Sequence, residues 1–505
     1  MESSESRENG DERRTLWRYA KKYRKVVWVT FGLASAILLY GYDFVIVGTV
    51  SGMPEFQKDF GELHNDEWIL PSLWLALWNV SSPLGAMFGA VFGGWFQDRV
   101  GRRLSLATGS FLSAVGVAIM FVSYIPTDME GRRLAFLIGK LVQGAATGTV
   151  MAATQTYLSE ILPPVLRGSG MAFFPVFTLL GQLTGALVIF GCLNQKRGYV
   201  IAFGSQWPFS FIPMIVAYFV PESPTWLIRT RKVDKALVAQ ARLDPAGTNT
   251  KAVVNQIAAD IAHEEETTKN TTFAQCFDRR NLRRTLIVLF AMSIPNFFGL
   301  PLLAKASYFL QICGMKASLS IIFLILGIIL GLLANVASVW MVSKFRRREL
   351  TLSTLSLCTL FWGSMGVANC FKGNGVVWWT AASMMLTIIT AGVGVWPVSF
   401  AVAAEASSLQ LRAKTQGLGW TVSAFSTALS GIALPYVFNP DAGNLRGKVG
   451  FTYVSSCGVA VVLSWFLLPE MKGRSVGEID RMFEMGLGGR EFGVWRGEER
   501  RTGRD

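Results

Sequence analysis

The sequence predicts an all-α polytopic membrane protein: twelve transmembrane helices in two six-helix halves, with the N and C termini cytosolic. Composition is the first observation behind this. Of 505 residues, 51% are hydrophobic, 12% aromatic and only 16% charged, and the mean hydropathy is +0.38, outside the soluble mixture. The second is run length, because the apolar stretches are about 20 residues each, enough to span ~30 Å of hydrocarbon. The third is a repeat. GGWFQDRVGRR, Gly93 to Arg103, returns 245 residues later as SVWMVSKFRRR, Ser338 to Arg348. Glu160 and Arg167 recur at the same interval as Glu405 and Arg412, and Pro221 of PESPTW precedes Pro469 of PEMKGR by 248 residues. Three landmarks displaced by nearly one interval indicate two tandem copies of one membrane unit, an arrangement common among secondary transporters.

In chain order, residues 1–26 form a polar tail rich in both charge signs, without the apolar core and cleavage site of a secretory signal. An N-terminal six-helix bundle over 27–220 follows, with helices near 27–49, 73–95, 104–124, 134–157, 168–192 and 200–220. The polar stretch 221–283 separates the halves; KVDKALVAQARL and NQIAADIAHEEETTK within it have the spacing of short amphipathic cytosolic helices. A C-terminal bundle over 284–468 has helices near 284–311, 318–342, 350–370, 376–403, 414–438 and 450–468, and 469–505 is a cytosolic tail. Lys and Arg fall in alternate loops, including Arg99, Arg102, Arg103, Arg167, Lys344 to Arg348, Arg412 and Lys414, which places those loops and both termini inside. The acidic loop GMPEFQKDFGELHNDEW faces outward. The sequons at Asn79 and Asn270 fall in a helix and on the cytosolic side, so neither is an acceptor on this topology.

The composition also excludes functions. The net charge of +14 lies in clusters bordering apolar runs, which is topology information and not a nucleic-acid footprint. The only histidines, His64 and His263, sit in polar stretches, and the six cysteines show no metal spacing, so no metal, no cofactor and no enzymatic triad is expected. The expected partners are a small-molecule substrate, protons and the lipid bilayer, and the chain reads as a monomer.

The charged groups that exceed topological need carry the functional expectations. Asp43 lies well inside helix one, where a carboxylate is costly unless neutralised. Lys140 in helix four lies at equal depth, about six residues or ~9 Å from the outer face, so the two can pair and could couple to protons; a fixed structural pair is the alternative. At the elbow Asp98, Arg99, Arg102 and Arg103 suggest a gate latch, a solvated turn being the alternative. The second elbow has Ser343 and Arg346 where the first has its acid and glycine, so the first elbow is expected to carry the inner gate alone. Glu160/Arg167 and Glu405/Arg412 suit ion pairs made and broken between the halves. Lys140, Gln143, Gly144, Thr147, Met151 and Thr154 share a face of helix four, with Gln182 on helix five, as candidate lining of a polar cavity, helix packing being the alternative for the threonines. The glycines of GAMFGAVFGG recur at four-residue intervals, as close helix packing requires. Pro295, Gly299 and Pro301 predict a broken helix seven, with Asn296 as a contact candidate, and Lys305 snorkelling or facing the site.

GYDFVIVG, the elbow, YLSEILPPVLRG, PESPTWLI, AEASSLQLRAKTQG and PEMKGRSVGEIDRMFE, in this order, resemble the sugar porter family of the major facilitator superfamily. LRAKT and PYVFNPDAGNLRGKVGF look most like fungal alpha-glucoside (maltose-type) proton symporters. The resemblance implies the major facilitator fold, a plasma-membrane location, Asp43 as the coupling acid, Lys140 as its basic partner and Gln182 as a sugar-binding amide. It also exposes departures. Pro295 and Asn296 replace a Gln pair, Pro301 replaces an Asn, Lys305 and Ala306 replace gate tyrosines, Trp396 replaces a small residue, and Ala424 and Thr427 stand where maltose-type relatives carry asparagines. The expected function is proton-coupled transport of a sugar or related polyol by alternating access. The alternatives are movement or export of a non-sugar metabolite and, of a different class, a non-transporting sensor.

Overall fold

The structure, a computed structural model, describes Arg18 and residues 21–495 apart from 65–66, 246, 269–271, 409–410, 473, 475, 490 and 494. Among the described residues twelve helical spans are long and apolar enough to cross a membrane. Helices one to five are Arg24–Val50, Ser72–Val100, Arg102–Val122, Met129–Ile161 and Pro164–Cys192. Helix six is interrupted, Gly198–Gly204 and Trp207–Phe219. Helix seven runs Leu282–Phe297, Leu300–Leu303 and Ala306–Ile312. Helices eight and nine are Ala317–Lys344 and Arg347–Ala368. Helix ten breaks at Gly394 into Asn374–Val393 and Val395–Ala406, and helices eleven and twelve are Arg412–Phe438 and Gly450–Leu467.

Two compact units result, Met1–Ile46 with Ser81–Thr267, and Val47–Val80 with Thr268–Asp505. In the first, helix three packs on helices four and six; in the second, nine packs on ten and twelve, the same pattern one repeat later. Small residues permit these approaches. A Cβ at Gly89 of helix two would lie 2.0 Å from the Ala145 carbonyl oxygen of helix four, so the predicted glycine stripe brings two backbones into contact.

The first unit also holds the three helices of the stretch between the halves, Pro224–Arg229, Val233–Leu243 and Thr250–Thr268. Lys25 Nζ donates to the Asp244 carbonyl at 3.0 Å, and Arg242 caps helix six through the Phe219 carbonyl at 2.8 Å. In the second unit the helix Val476–Glu484 is held by Arg284 on Asp480 and by Arg280 on Glu484 at 2.7 Å.

The second unit takes in the ends of helices one and two, residues 47–80. Between them lie elements that the sequence reading passed over as loop: a helix, Pro54–Phe60, and an antiparallel pair, Glu62–His64 with Glu67–Ile69, with Leu63 opposite Trp68. Their anchor is aromatic. Phe56 and Phe60 stack at 4.4 Å and both meet the edge of Trp78.

Candidate functional site

In the first unit the Lys140 ammonium donates to Asp43 at 2.6 Å, and the Ser82 hydroxyl donates to the other carboxylate oxygen at 2.7 Å. The two charged side chains are 0% and 4% exposed. Equal depth read from helix ends therefore corresponds to a contact. A buried ion pair of this kind costs desolvation on both sides, and removing one partner strands the other charge, typically at ~3–5 kcal/mol. Gln182 on helix five is half-buried, with no protein hydrogen-bond partner among the described residues.

The rest of the helix-four stripe differs from expectation. Gln143 and Thr147 are 0% and 2% exposed, and Thr147 donates to the carbonyls of Gln143 and Gly144 on its own helix. Gln143 accepts from Ser113 of helix three, which in turn contacts Ser210 of helix six. Thr147 is thus buried, with its hydroxyl satisfied on its own helix.

At the first elbow, the Arg102 guanidinium is 4% exposed and grips Glu160 with two hydrogen bonds, at 2.8 and 3.1 Å; Ser223 donates to the same carboxylate. Its Nη1 meets the Gln97 carbonyl at 3.0 Å. Glu222 caps the start of helix three, accepting from the Arg102 N–H at 2.9 Å, and Arg103 reaches the Ala217 and Tyr218 carbonyls that end helix six. Gly101 has φ +103°, and a Cβ there would sit 2.4 Å from the Glu222 carboxylate. Asp98 is 70% exposed, and among the described residues its carboxylate pairs with Arg102, four residues on, at 3.2 Å; its carbonyl accepts from the Trp226 indole. Arg99 lies over the Trp95 ring. The elbow is thus closed chiefly by Glu160 and Glu222.

The second elbow repeats the arginine and glutamate contacts of the first, although Ser343 stands where Asp98 does. Arg347 donates to Glu405 at 3.0 Å and to the Val342 carbonyl at 2.7 Å; Glu470 accepts from the Arg347 and Arg348 N–H groups, each at 3.1 Å; Arg348 reaches the Trp465 carbonyl. What it lacks is the serine. Met471 follows Glu470 where Ser223 follows Glu222, and Glu405 Oε2 and Arg347 Nε are buried without partners among the described residues. Each acid has a partner inside its own unit, Glu160 with Arg102 and Glu405 with Arg347. Arg412 donates to the Ala404 carbonyl, and the Arg167 side chain lies outside the described residues. Glu222, Ser223 and Glu470 were missed as functional candidates; the repeated Pro-Glu pair at Pro221 and Pro469 was the available signal.

Helix seven breaks where predicted. Gly299 has φ +92°, and a Cβ there would meet Trp362 at 2.9 Å. The freed carbonyls do not open to a cavity: Phe298 accepts from the Trp362 indole at 3.0 Å and Phe297 from Ser456 at 2.7 Å. Just before the break, Asn296 accepts from Thr427 of helix eleven at 3.2 Å, and its Nδ2 is buried without a partner among the described residues. A buried amide donor in this condition is ready for an acceptor oxygen of a ligand. Trp396, half-buried, follows the break at Gly394.

This architecture has known counterparts. The E. coli xylose transporter XylE, in an inward open conformation, superposes with a TM-score of 0.73 at 19% identity, covering 90% of this chain and 99% of its own, a likeness of fold. In sequence, the chain is 31% identical to MFS transporter fmqE of Aspergillus fumigatus, over 96% of this chain and 92% of that one. It is 26% identical to the general alpha-glucoside permease of Saccharomyces cerevisiae, over 95% and 78%. The family described as Sugar (and other) transporter matches residues 29–483, nearly everything between the two tails. The chain belongs to that family, and is a multi-pass membrane transporter and not an enzyme.

Proposed function

We propose that the protein is a proton-coupled secondary transporter that moves a sugar, an alpha-glucoside or monosaccharide, or a related polyol, by alternating access. The observation that carries the proton reading is the buried Asp43–Lys140 contact, at 2.6 Å. Asp43 protonated no longer needs Lys140, and Asp43 ionised recaptures it, so one proton changes which contacts helices one and four make. The sugar reading draws on the yeast alpha-glucoside permease and on unpaired amides: Gln182 in one unit, and Asn296 in the other with its free Nδ2. The elbows serve as inner clamps, with both termini and the helices between the halves in the cytosol and the Pro54–Ile69 segment outside. The membrane is the plasma membrane, and the protomer works alone.

A second reading, movement or export of a less polar metabolite, is favoured by Thr147 being packed away, by the carbonyls of the helix-seven break being occupied, and by Trp396. Accumulation of labelled maltose, glucose and a polyol, in cells lacking their own carriers and at two external pH values, separates the two. Accumulation of one of them at acidic pH supports the first reading; no transport across the panel contradicts it.

A further inference from the structure

The ends of helices one and two that join the second unit are fastened to it by a polar chain that neither the elbows nor the coupling pair involves. Helix two begins at Ser72, and helices leave their first N–H groups without internal partners. The Ser72 N–H donates to Asp441 at 2.7 Å and its hydroxyl to the other carboxylate oxygen at 2.5 Å, so a residue 369 positions away caps this helix. Asp441 also accepts from Asn439 Nδ2 at 2.7 Å. The same Nδ2 donates to the Leu70 carbonyl at 2.8 Å; the Leu70 N–H donates to the Tyr308 hydroxyl at 3.3 Å, and that hydroxyl donates to Asn439 Oδ1 at 3.1 Å. Leu70, Asn439, Ser72 and Tyr308 are at most 2% exposed. Helix one is held alongside: Gln311 Nε2 of helix seven donates to the Gly52 carbonyl at 2.8 Å.

We propose that Asp441 and Asn439, with Ser72 and Tyr308, are positioning residues that form the latch of the mouth opposite the elbows. This goes beyond the transport reading but rests on it, because only a carrier that opens at that end must break these bonds. The arrangement suits a latch more than a permanent joint. The bonds to Asp441 are short and directional, but Asp441 is exposed, so water takes over its oxygens as soon as helix two withdraws. The charged acceptor at a helix start adds the attraction of the helix dipole while the mouth is shut. Removing the carboxylate leaves the Ser72 N–H unpaired in a buried position and tilts the equilibrium toward the open mouth.

The test uses Asn79→Cys, in a background with the six native cysteines replaced. Asn79 is 7% exposed, two turns below Ser72 and beside Gly431 of helix eleven. Intact cells are treated with a membrane-impermeant maleimide, and in parallel with a permeant one. With the latch intact, impermeant labelling is slow; Asp441→Ala is expected to speed it about tenfold, Ser72→Ala to speed it less, and Asp441→Glu to restore most of the protection. In transport, the same variants lower kcat more than they raise KM, because reclosure slows. Should Asp441→Ala not reach the membrane, Ser72→Ala, which removes one hydroxyl, decides. Unchanged labelling in a variant that reaches the surface overturns the latch. Labelling by the permeant reagent alone in every variant overturns the sidedness on which it rests, and leaves the transport assay to judge the function separately.

Discussion

Asp43 is the residue on which most rests, and its meaning comes from its surroundings: Lys140 on one oxygen and Ser82 on the other, in an interior where the pair is 4% exposed or less. Asp43→Asn keeps the shape and removes the carboxylate. Accumulation driven by a pH gradient should be lost, while exchange of labelled for unlabelled substrate persists; loss of both, with normal surface expression, contradicts the coupling role. Lys140→Ala strands the carboxylate and should lower the detergent-extracted melting temperature sharply, consistent with ~3–5 kcal/mol for a broken buried pair. Asp98→Asn should change transport rate less than twofold, because its side chain is 70% exposed and screened. Sequence reasoning found Asp43 and Lys140 because a membrane charge is conspicuous. It overvalued Asp98 for the same reason, since a motif letter does not reveal exposure, and it placed Thr147 in a cavity because helical periodicity gives a face and not the neighbour that covers it.

At the scale of elements the two elbows are one design in two states of completion. Among the described residues, Glu160 receives two bonds from Arg102 and one from Ser223, whereas Glu405 receives one from Arg347 and keeps a buried, unpaired oxygen. Met471→Ser supplies the missing donor. Because Met471 is 1% exposed, the packing lost should outweigh the ~1 kcal/mol of one hydrogen bond, so Met471→Ser should cost less stability than Met471→Ala and slow turnover if clamp release limits the cycle; equal losses in the two variants mean the hydroxyl does not reach Glu405. Gly101→Ala should fail to accumulate in the membrane, because a positive φ and the Glu222 carboxylate both exclude a Cβ, while Arg346→Ala at the matching position, with φ −72°, should be tolerated. The 245-residue echo made these elbows legible in sequence, but their closing acids lie in other segments, 58 and 120 residues away in the first copy. Only the fold could bring them in. The breaks in helices six and ten escaped notice because glycine in an apolar run reads as packing, whereas the proline-flanked break in helix seven did not.

For the molecule as a whole, twelve apolar runs and a duplicated pattern were enough to give the number of spans and the repeat, because the bilayer fixes helix length. Less legible was which segments pack together. Compactness gathers the ends of helices one and two with the second half, and bonds such as Ser72 to Asp441 span 369 residues with no motif to announce them. Substrate choice is harder again, since Gln182 and Asn296 offer amides to many oxygen-rich ligands. If Asp43 ties substrate movement to proton movement, purified protein in sealed vesicles holding a pH-sensitive dye will show it. Adding the sugar that the uptake panel identifies, with no pH gradient imposed, should make the lumen more acidic in wild type and leave it unchanged in Asp43→Asn. Substrate entry into wild-type vesicles without any change in luminal pH would contradict the account.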